Sequence, residues 1–461
     1  MAMIAALQQA NSIRGPSLAE AFKADDITTV AMNEAIRAWF DLYFFRTPTK
    51  GEDPAQRIPY VVINKLTRTV FSEYEATSQS AFATSVLEAL DDVRKKAMQQ
   101  GLVGGEALLK PVFDGEAVRF SVIDRQAYLV FGRDDAGKLT DIGTTATTAT
   151  GGYFYTLLER RSVDERGYLT VENQLRRSQD KGALGVPVPL STLPKYADLQ
   201  DIVTYPVPVG SVGLIPIRTP MVNCVDGSPD SVSIYEPAVG LIRNIAINEA
   251  QINGEFERGE SRIVVSGDMM ELDAAGKRAF KDNIFTGLPD GPDEVGVTIF
   301  SPAFREQSFF ARKNEYLRNI ESLIGFKRGI LSEVEAAERT ATEVTSSAGD
   351  YAITITDLQA MWTAAALEAL RVCGILGKLY RVPGAMEVPE NAVSISYGDG
   401  VLYNRDQVNQ EMFSQVQAGL LSPERYLGWY YDQAHDTPEE RQKIRENYMP
   451  DVGELTEEGE R

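Results

Sequence analysis

Between Tyr235 and Leu379 the sequence holds two amphipathic helical segments flanking a compact insert, then a polar loop and a third, longer helix. A helix that leaves a body and returns through an insert reads as a stalk with a tip, which is a device for assembly. In YEPAVGLIRNIAINEAQINGEFERG, Ala238, Ile242, Ile245, Ile252 and Phe256 recur at spacings of three, four or seven, so one apolar stripe runs along a helix. About 24 residues at 1.5 Å rise give roughly 36 Å, and Gly259 offers the stop. The returning segment, about Ser308 to Ile324, carries Phe309, Tyr316, Leu317, Ile320 and Leu323 on one face. Arg312, Lys313, Glu315, Arg318 and Glu321 lie largely on the other, which is expected to face outward or into a water-filled space.

The insert, Ser261 to Arg305, reads as a small unit of its own. RIVVSG is expected as a strand, LDAAGKRAFKDNIF as a short helix, GLPDGPDE as a turn-rich break and VGVTIF as a second strand. Met269, Met270 and Phe285 either offer apolar contact to a neighbour or form the core of the tip itself.

At 461 residues, 43% hydrophobic and 24% charged, the chain has ample material for a folded core and a length of about three domains. No run approaches the ~18 apolar residues of a membrane span, so no membrane partner is expected. MAMIAALQQANSIRG lacks the basic flank and apolar run of a secretory signal, so the chain reads as made and kept in the cytoplasm. Cys224 and Cys373 allow at most one bridge, and Cys373 sits in an apolar helical stretch that suits a buried free thiol.

A net charge of −20 argues against a protein that grips DNA, because affinity for phosphate comes mainly from Lys and Arg. A conduit through which DNA slides is another matter, since tight phosphate contacts would act as brakes. Charge alone leaves both open.

The lone histidine, His435 in YDQAHDTPEE, removes histidine-based metal sites and suits a position flanking a helix start. GxxxxGK[ST] and GxSxG are both absent, and Gly104 with Gly105 reads as a turn. The 66 carboxylates single out no acid and base pair. Hence no catalytic residue, metal or cofactor is expected, and the chain reads as a non-enzyme.

Around this centre the fold class reads as α+β. A helix is expected over about Asp26 to Phe45, through Met32, Ile36, Trp39, Phe40 and Tyr43, followed by the strand-like YVVINKLTRTVFSEY. Phe82, Val86, Leu90 and Val93 mark a second helix, ending at Gly101. Strands follow at ALLKPVF, AVRFSVI, AYLVFGR, YFYTLLERRSV and YLTVENQLR, the last two as a hairpin. TTATTATGG, Thr144 to Gly152, reads as a flexible loop, and the proline-rich stretch from Val186 to Pro229 as a connection. After Gly325 and Gly329, Thr340 and Glu343 have capping-box spacing, so the long helix is expected from near Ala341 to about Leu379, through Met361, Trp362, Leu367, Leu370 and Leu376. VSISYG is a strand. Helices then span about Asp406 to Ala418, from Ser422 and Pro423, and from Thr437, and the residues beyond Pro450 read as acidic and disordered.

These segments in this order resemble the portal proteins of tailed double-stranded DNA bacteriophages over nearly the whole chain. The resemblance is carried by IPYVVINKLTRTVFSE, GEALLKP, SIYEPAVGLIRNIAINEAQINGEFERG, RKNEYLRNIESLIGF, TATEV and VQAGLLSPERYL. It implies a portal fold: an α/β wing over 1–230, a first stem helix over 231–260, a clip over 261–306 and a second stem helix over 307–325. A tunnel loop over 326–340, a long helix with a wing return strand over 341–400, an α-helical crown over 401–450 and an acidic tail over 451–461 complete it. The implied function is a ring of twelve subunits at one capsid vertex of the virion, assembled in the host cytoplasm. Such a ring is the head-to-tail connector, nucleates capsid assembly, and forms the channel for DNA packaging and ejection. Its implied partners are non-specific double-stranded DNA, the terminase large subunit, the head-tail adaptor, and the major capsid and scaffolding proteins.

By the same resemblance, Lys327, Arg328 and Arg339 meet phosphates while Glu333, Glu335 and Glu338 limit the grip. The structural alternative is that these charges pair with neighbouring subunits. Met269, Met270, Lys277, Arg278 and Phe285 would form the docking surface of the clip, and Ile242, Ile245, Ile252, Phe256, Arg312, Lys313 and Arg318 the stem. Two other classes compete: a different ring-forming tail or baseplate adaptor, and an acidic cytosolic hydrolase built on carboxylates.

Overall fold

Thr29 opens the first well-formed helix of the body by accepting a hydrogen bond from the Met32 amide at 3.1 Å. In the computed structural model of the chain, the described residues are 14–46, 51–113, 117–258, 262–265, 270–272, 278–280, 297–300, 306–333, 341–389, 392–398, 405–431, 433, 435 and 437–449. They fall into two units, one of residues 1–68 and 77–394, the other of 69–76 and 395–461.

The first unit is α+β. Helices α1 (Arg14–Phe22), α2 (Val30–Phe44), α3 (Ile58–Val70) and α4 (Ala81–Gly104) accompany two antiparallel sheets. The smaller sheet has the order β10-β2-β3, with β2 (Glu106–Phe113), β3 (Val118–Ile123) and β10 (Ile215–Arg218). The larger joins β4 (Tyr128–Arg133), β5 (Leu139–Thr150), β6 (Tyr153–Val163), β7 (Tyr168–Ser178) and β8 (Val186–Val188) in that order, with β9 (Ile202–Pro208) also on β7. Strand β1 (Glu75–Ser78) pairs with β15 (Val393–Ser396).

Two helical and strand expectations are corrected here. YVVINKLTRTV is α3, not a strand, because Ile58, Val62, Ile63, Leu66 and Val70 recur at helical spacing and all are buried. Burying that face outweighs the preference of β-branched residues for strands. TTATTAT is not a loop but the end of β5. Gly151 and Gly152, both at positive φ (57° and 78°), make the two-residue turn that pairs Thr150 with Tyr153. Helix α4 also runs three residues past the expected stop at Gly101.

The stalk grows from a root bolted into this body. Ser233 donates its hydroxyl, and Ile234 its amide, to the Leu102 carbonyl at 3.1 and 3.0 Å. Tyr235, fully buried, donates to the Trp39 carbonyl at 2.7 Å, and the Trp39 indole donates to Glu236. From there α5 (Val239–Arg258) leaves and α6 (Glu306–Leu323) returns beside it. Beyond their ends, β11 (Arg262–Val265) pairs antiparallel with β14 (Val297–Phe300), so the two helices form an antiparallel hairpin closed by strands. Within it β12 (Met270–Leu272) pairs with β13 (Arg278–Phe280). The expected insert helix is therefore a strand at Arg278–Phe280. Gly259 lies outside the described residues, as does 451–461.

Helix α7 (Ala341–Leu379) has the expected bounds and, at about 58 Å, is the longest among the described residues. Ile355, Leu358, Trp362, Ala366, Leu370, Cys373 and Leu376 are buried along it, against α4, β2 and β10. Its stretch Gly349–Leu379 is long and apolar enough to cross a membrane, contrary to the expectation that no such run exists, and more than half of its most apolar part is buried inside the protein. Cys224 and Cys373 are both free, and burial pushes the Cys373 thiol up.

The second unit holds α8 (Arg405–Gln417), α9 (Pro423–Tyr430) and α10 (Pro438–Tyr448). Ser422 caps α9, and Thr437 with Glu440 completes a capping box on α10. Arg445 bonds Glu424 at 2.9 Å, and Tyr431 stacks on Tyr448 at 4.5 Å. His435 flanks α10, its Nδ1 2.8 Å from the Gln433 carbonyl oxygen.

Candidate functional site

The turn that follows α6 is built around one carboxylate. Glu321 was expected on the outward polar face, yet it is completely buried, while Leu323, expected on the apolar face, is 44% exposed. The swap has a local cause. Helix α6 ends at Leu323 and is closed two residues on by Gly325 (φ +69°), after which the Phe326 amide reaches back to the Glu321 carbonyl at 2.7 Å, in a left-handed C-terminal cap. A side chain at Gly325 would meet Thr354 Oγ1 at 2.1 Å, so α7 packs directly against this cap. The chain thereby folds back over the last turn of α6 and encloses Glu321.

The enclosed carboxylate accepts the Ser332 amide at 2.9 Å, the Ser332 hydroxyl at 2.6 Å, the Gly329 amide at 3.4 Å and the Leu331 amide. Carboxylate to backbone N–H bonds are charge-assisted and stronger than neutral ones. Asn314 adds a second clasp: its carbonyl oxygen accepts the Glu333 amide at 2.8 Å and its amide donates to the Glu333 carbonyl at 3.0 Å. Arg318 donates to the same carbonyl at 3.5 Å. Phe326 is buried and meets Tyr351 edge to face at 5.7 Å. The result is a fixed turn with Lys327 and Arg328 exposed at its tip.

Of the expected loop residues, the structure brings together Lys327, Arg328 and Glu333. Glu335, Glu338 and Arg339 lie outside the described residues. Glu321 and Asn314 were not singled out as loop anchors. A buried acid has no distinct signature in a helix rich in charge, although its position four residues before Gly325 places it on the turn that such a cap covers.

On the α5–α6 hairpin, Ile242, Ile245 and Ile252 are buried while Phe256 is 50% exposed. Lys313 bonds Glu249 across the hairpin at 3.0 Å. Arg312 bonds Glu315 at 2.9 Å and lies over the Tyr316 ring, a surface arrangement of small energetic weight. Besides Phe256 and Leu323, Ile247 and Phe310 are exposed on the same two helices. Met270 and Arg278 sit in the paired strands β12 and β13; Met269, Lys277 and Phe285 lie outside the described residues.

A cleft of about 340 Å³ opens where α2, α3 and the turn at 52–57 meet α5. Glu34, Asp41, Glu52 and Asp53 line it together with Arg37, Arg57 and Arg243. Burial raises the Asp41 carboxyl, with Arg46 and Arg37 opposing. Cations interleave with the acids there, which favours ion pairing over a poised acid and base. Among the described residues no cluster of His, Cys, Asp and Glu has the geometry to hold a metal ion.

No protein-family model matches the chain, and no curated protein matches it. Among solved structures it is similar to one described as the neck of a native GTA particle computed with C12 symmetry, at 11% identity and a TM-score of 0.47, covering 92% of this chain and 99% of that one. A likeness this distant carries no residue roles or partners to this chain.

Proposed function

We propose that the chain is the repeating subunit of a portal-type ring of a tailed double-stranded DNA bacteriophage, and that twelve copies enclose a channel through which DNA is packaged and ejected. The observation that carries this reading is the antiparallel hairpin of α5 and α6, rooted in a buried hydrogen-bonded base and closed by paired strands at its tip. Ile247, Phe256, Phe310 and Leu323 are exposed on that hairpin in the single chain, and large apolar side chains gathered on one element favour contact with further copies. Beside it stands the fixed turn that presents Lys327 and Arg328.

Twelve copies of one weak phosphate contact sum to a large effect, which is the logic of multivalency. A chain of net charge −20 surrounds each such contact with repulsion, so DNA would be guided without being held. The ring would nucleate capsid assembly with major capsid and scaffolding proteins and sit at one vertex of the virion. Its tip, the clip at 261–306, would dock the terminase large subunit during packaging and the head-tail adaptor afterwards. The terminase would supply the energy, and the ring itself would catalyse nothing.

Replacing Lys327, Arg328 and Arg339 together by glutamine is expected to leave rings intact and to change the length of DNA packaged or its retention. Unchanged packaging and retention would remove the phosphate role from these residues.

A further inference from the structure

The segment TTATTAT, which closes strand β5, leaves one stretch of the six-stranded sheet without a neighbouring strand among the described residues. Strand β5 runs from Leu139 to Thr150, but its outer partner β4 stops pairing at Thr144, opposite Tyr128. Among the described residues the backbone of Ala146 to Thr150 pairs with β6 alone, Lys195 donates to the Thr148 hydroxyl, and Ala146, Thr147, Ala149 and Thr150 are exposed. That leaves roughly 17 Å of strand edge with backbone donors and acceptors turned to solvent.

Folded proteins guard such edges with proline, charge, bulges or a covering segment. Every other edge of this sheet is guarded. Strand β8 carries Pro187, and β9 carries Pro206 and Pro208. Strand β4 is bulged at Gly132, and the Ile27 amide covers it by donating to the Val130 carbonyl at 2.9 Å. The stretch from Ala146 to Thr150 has no proline, no charge and no bulge. Three of its five residues are threonine, a β-branched residue that holds an extended strand stiffly.

We propose that this edge is a docking site for an extended, uncharged strand from a different polypeptide, added to the sheet by backbone pairing. Three features set the chemistry of the occupant. On one face Ala146 and Thr148 lie opposite Leu157 and Tyr155, members of an apolar cluster with Leu175, Leu190 and Leu193, and Lys195 donates to the Thr148 hydroxyl, so apolar residues at alternate positions of the incoming strand extend that cluster while a basic one there is repelled. On the other face Thr147 bonds Thr156 at 3.1 Å, and a threonine in the incoming strand continues that row. The net charge of −20 repels an acidic segment. Pairing of this edge with β8 or β9 of a second copy is disfavoured by Pro187, Pro206 and Pro208 on those strands. This inference is independent of the portal reading, since it needs neither a ring nor DNA.

The test uses the full chain and a fluorescein-labelled peptide of four Thr-Val repeats with one terminal lysine. Saturable binding is expected, with amide exchange at 146–150 slowed at least tenfold at saturation. Thr147→Pro removes a donor from the edge, and Ala149→Lys guards it without altering the backbone, so each is expected to weaken binding at least tenfold. The second variant covers the case in which the first fails to fold. A peptide of the same length with Glu in place of Thr is expected not to bind. Affinity unchanged in both variants overturns the proposal. So does strong protection of 146–150 in the peptide-free protein, which would assign the edge to the chain itself or to a second copy.

Discussion

Glu106→Ala is expected to lower the unfolding midpoint of the first unit by about 4–6 °C, the shift that a loss of about 3–5 kcal/mol gives for a unit of several hundred residues. Glu106 is 1% exposed and accepts from Arg218 at 2.5 Å and from the Tyr128 hydroxyl at 2.9 Å. Arg133 lies 3.8 Å from it and bonds Asp230 at 2.7 Å; Arg125, 3.8 Å from Asp230, donates to the Thr28 hydroxyl at 3.0 Å. Three guanidiniums thus share two carboxylates beneath the root of the stalk. Removing Glu106 leaves buried positive charge with half its compensation, which is why the cost exceeds that of a lost hydrogen bond.

The same group gives the change an acid limb. Burial alone would raise the Glu106 carboxyl, but Arg218, Arg133 and Arg125 together bring it below its ordinary 4.5. Its contribution is therefore present above pH 4.5 and is lost as pH falls below that value. Glu159, buried but held down to about 2 by Arg161 and Lys110, behaves in the same sense. Differential scanning calorimetry of wild type and variant at pH 7 and pH 4 reads both effects. A midpoint shift under about 1 °C at pH 7 would show that the cluster is not integral to the body.

Glu321→Ala is expected to make the bonds after Lys327 and Arg328 at least tenfold more susceptible to trypsin while leaving assembly unchanged. Both residues are exposed, yet a protease requires an extended backbone, and four hydrogen bonds to one buried carboxylate hold this turn closed. Unsatisfied buried donors cost about 1–3 kcal/mol each, so losing even one or two raises the open population by roughly ten- to a hundredfold. Glu321→Gln retains the shape and one carbonyl acceptor and should fall between. The readout is the rate of the 327 and 328 cuts by mass spectrometry, normalised to cuts elsewhere. Equal rates in wild type and Glu321→Ala would mean that something other than this carboxylate closes the turn.

The contrast between Glu321 and α7 shows what sequence carries. Helix α7 was legible to the residue because a capping-box spacing marks its start and an unbroken apolar period marks its course. Most strands of the first unit and the capped helices of the second were legible for the same reason: their signals are local. Helix α3 was misread because its β-branched residues obey two periods at once, and only the packing of Val62, Ile63 and Leu66 chose between them. Strand β5 was misread because seven threonines and alanines show no alternation of polarity, which is itself the mark of a strand with both faces exposed at its end. Glu321 could not be found from charge or period. Its role depends on where the chain turns after Gly325, a tertiary event that leaves one carboxylate inside.

The measurement that tests the central claim most directly is electron microscopy of the purified full chain at micromolar concentration, with two-dimensional class averages viewed down the particle axis. Closed rings of twelve copies around a central hole, with the α5–α6 hairpins lining it, are the expected result. A population that stays strictly monomeric across that concentration range would contradict it.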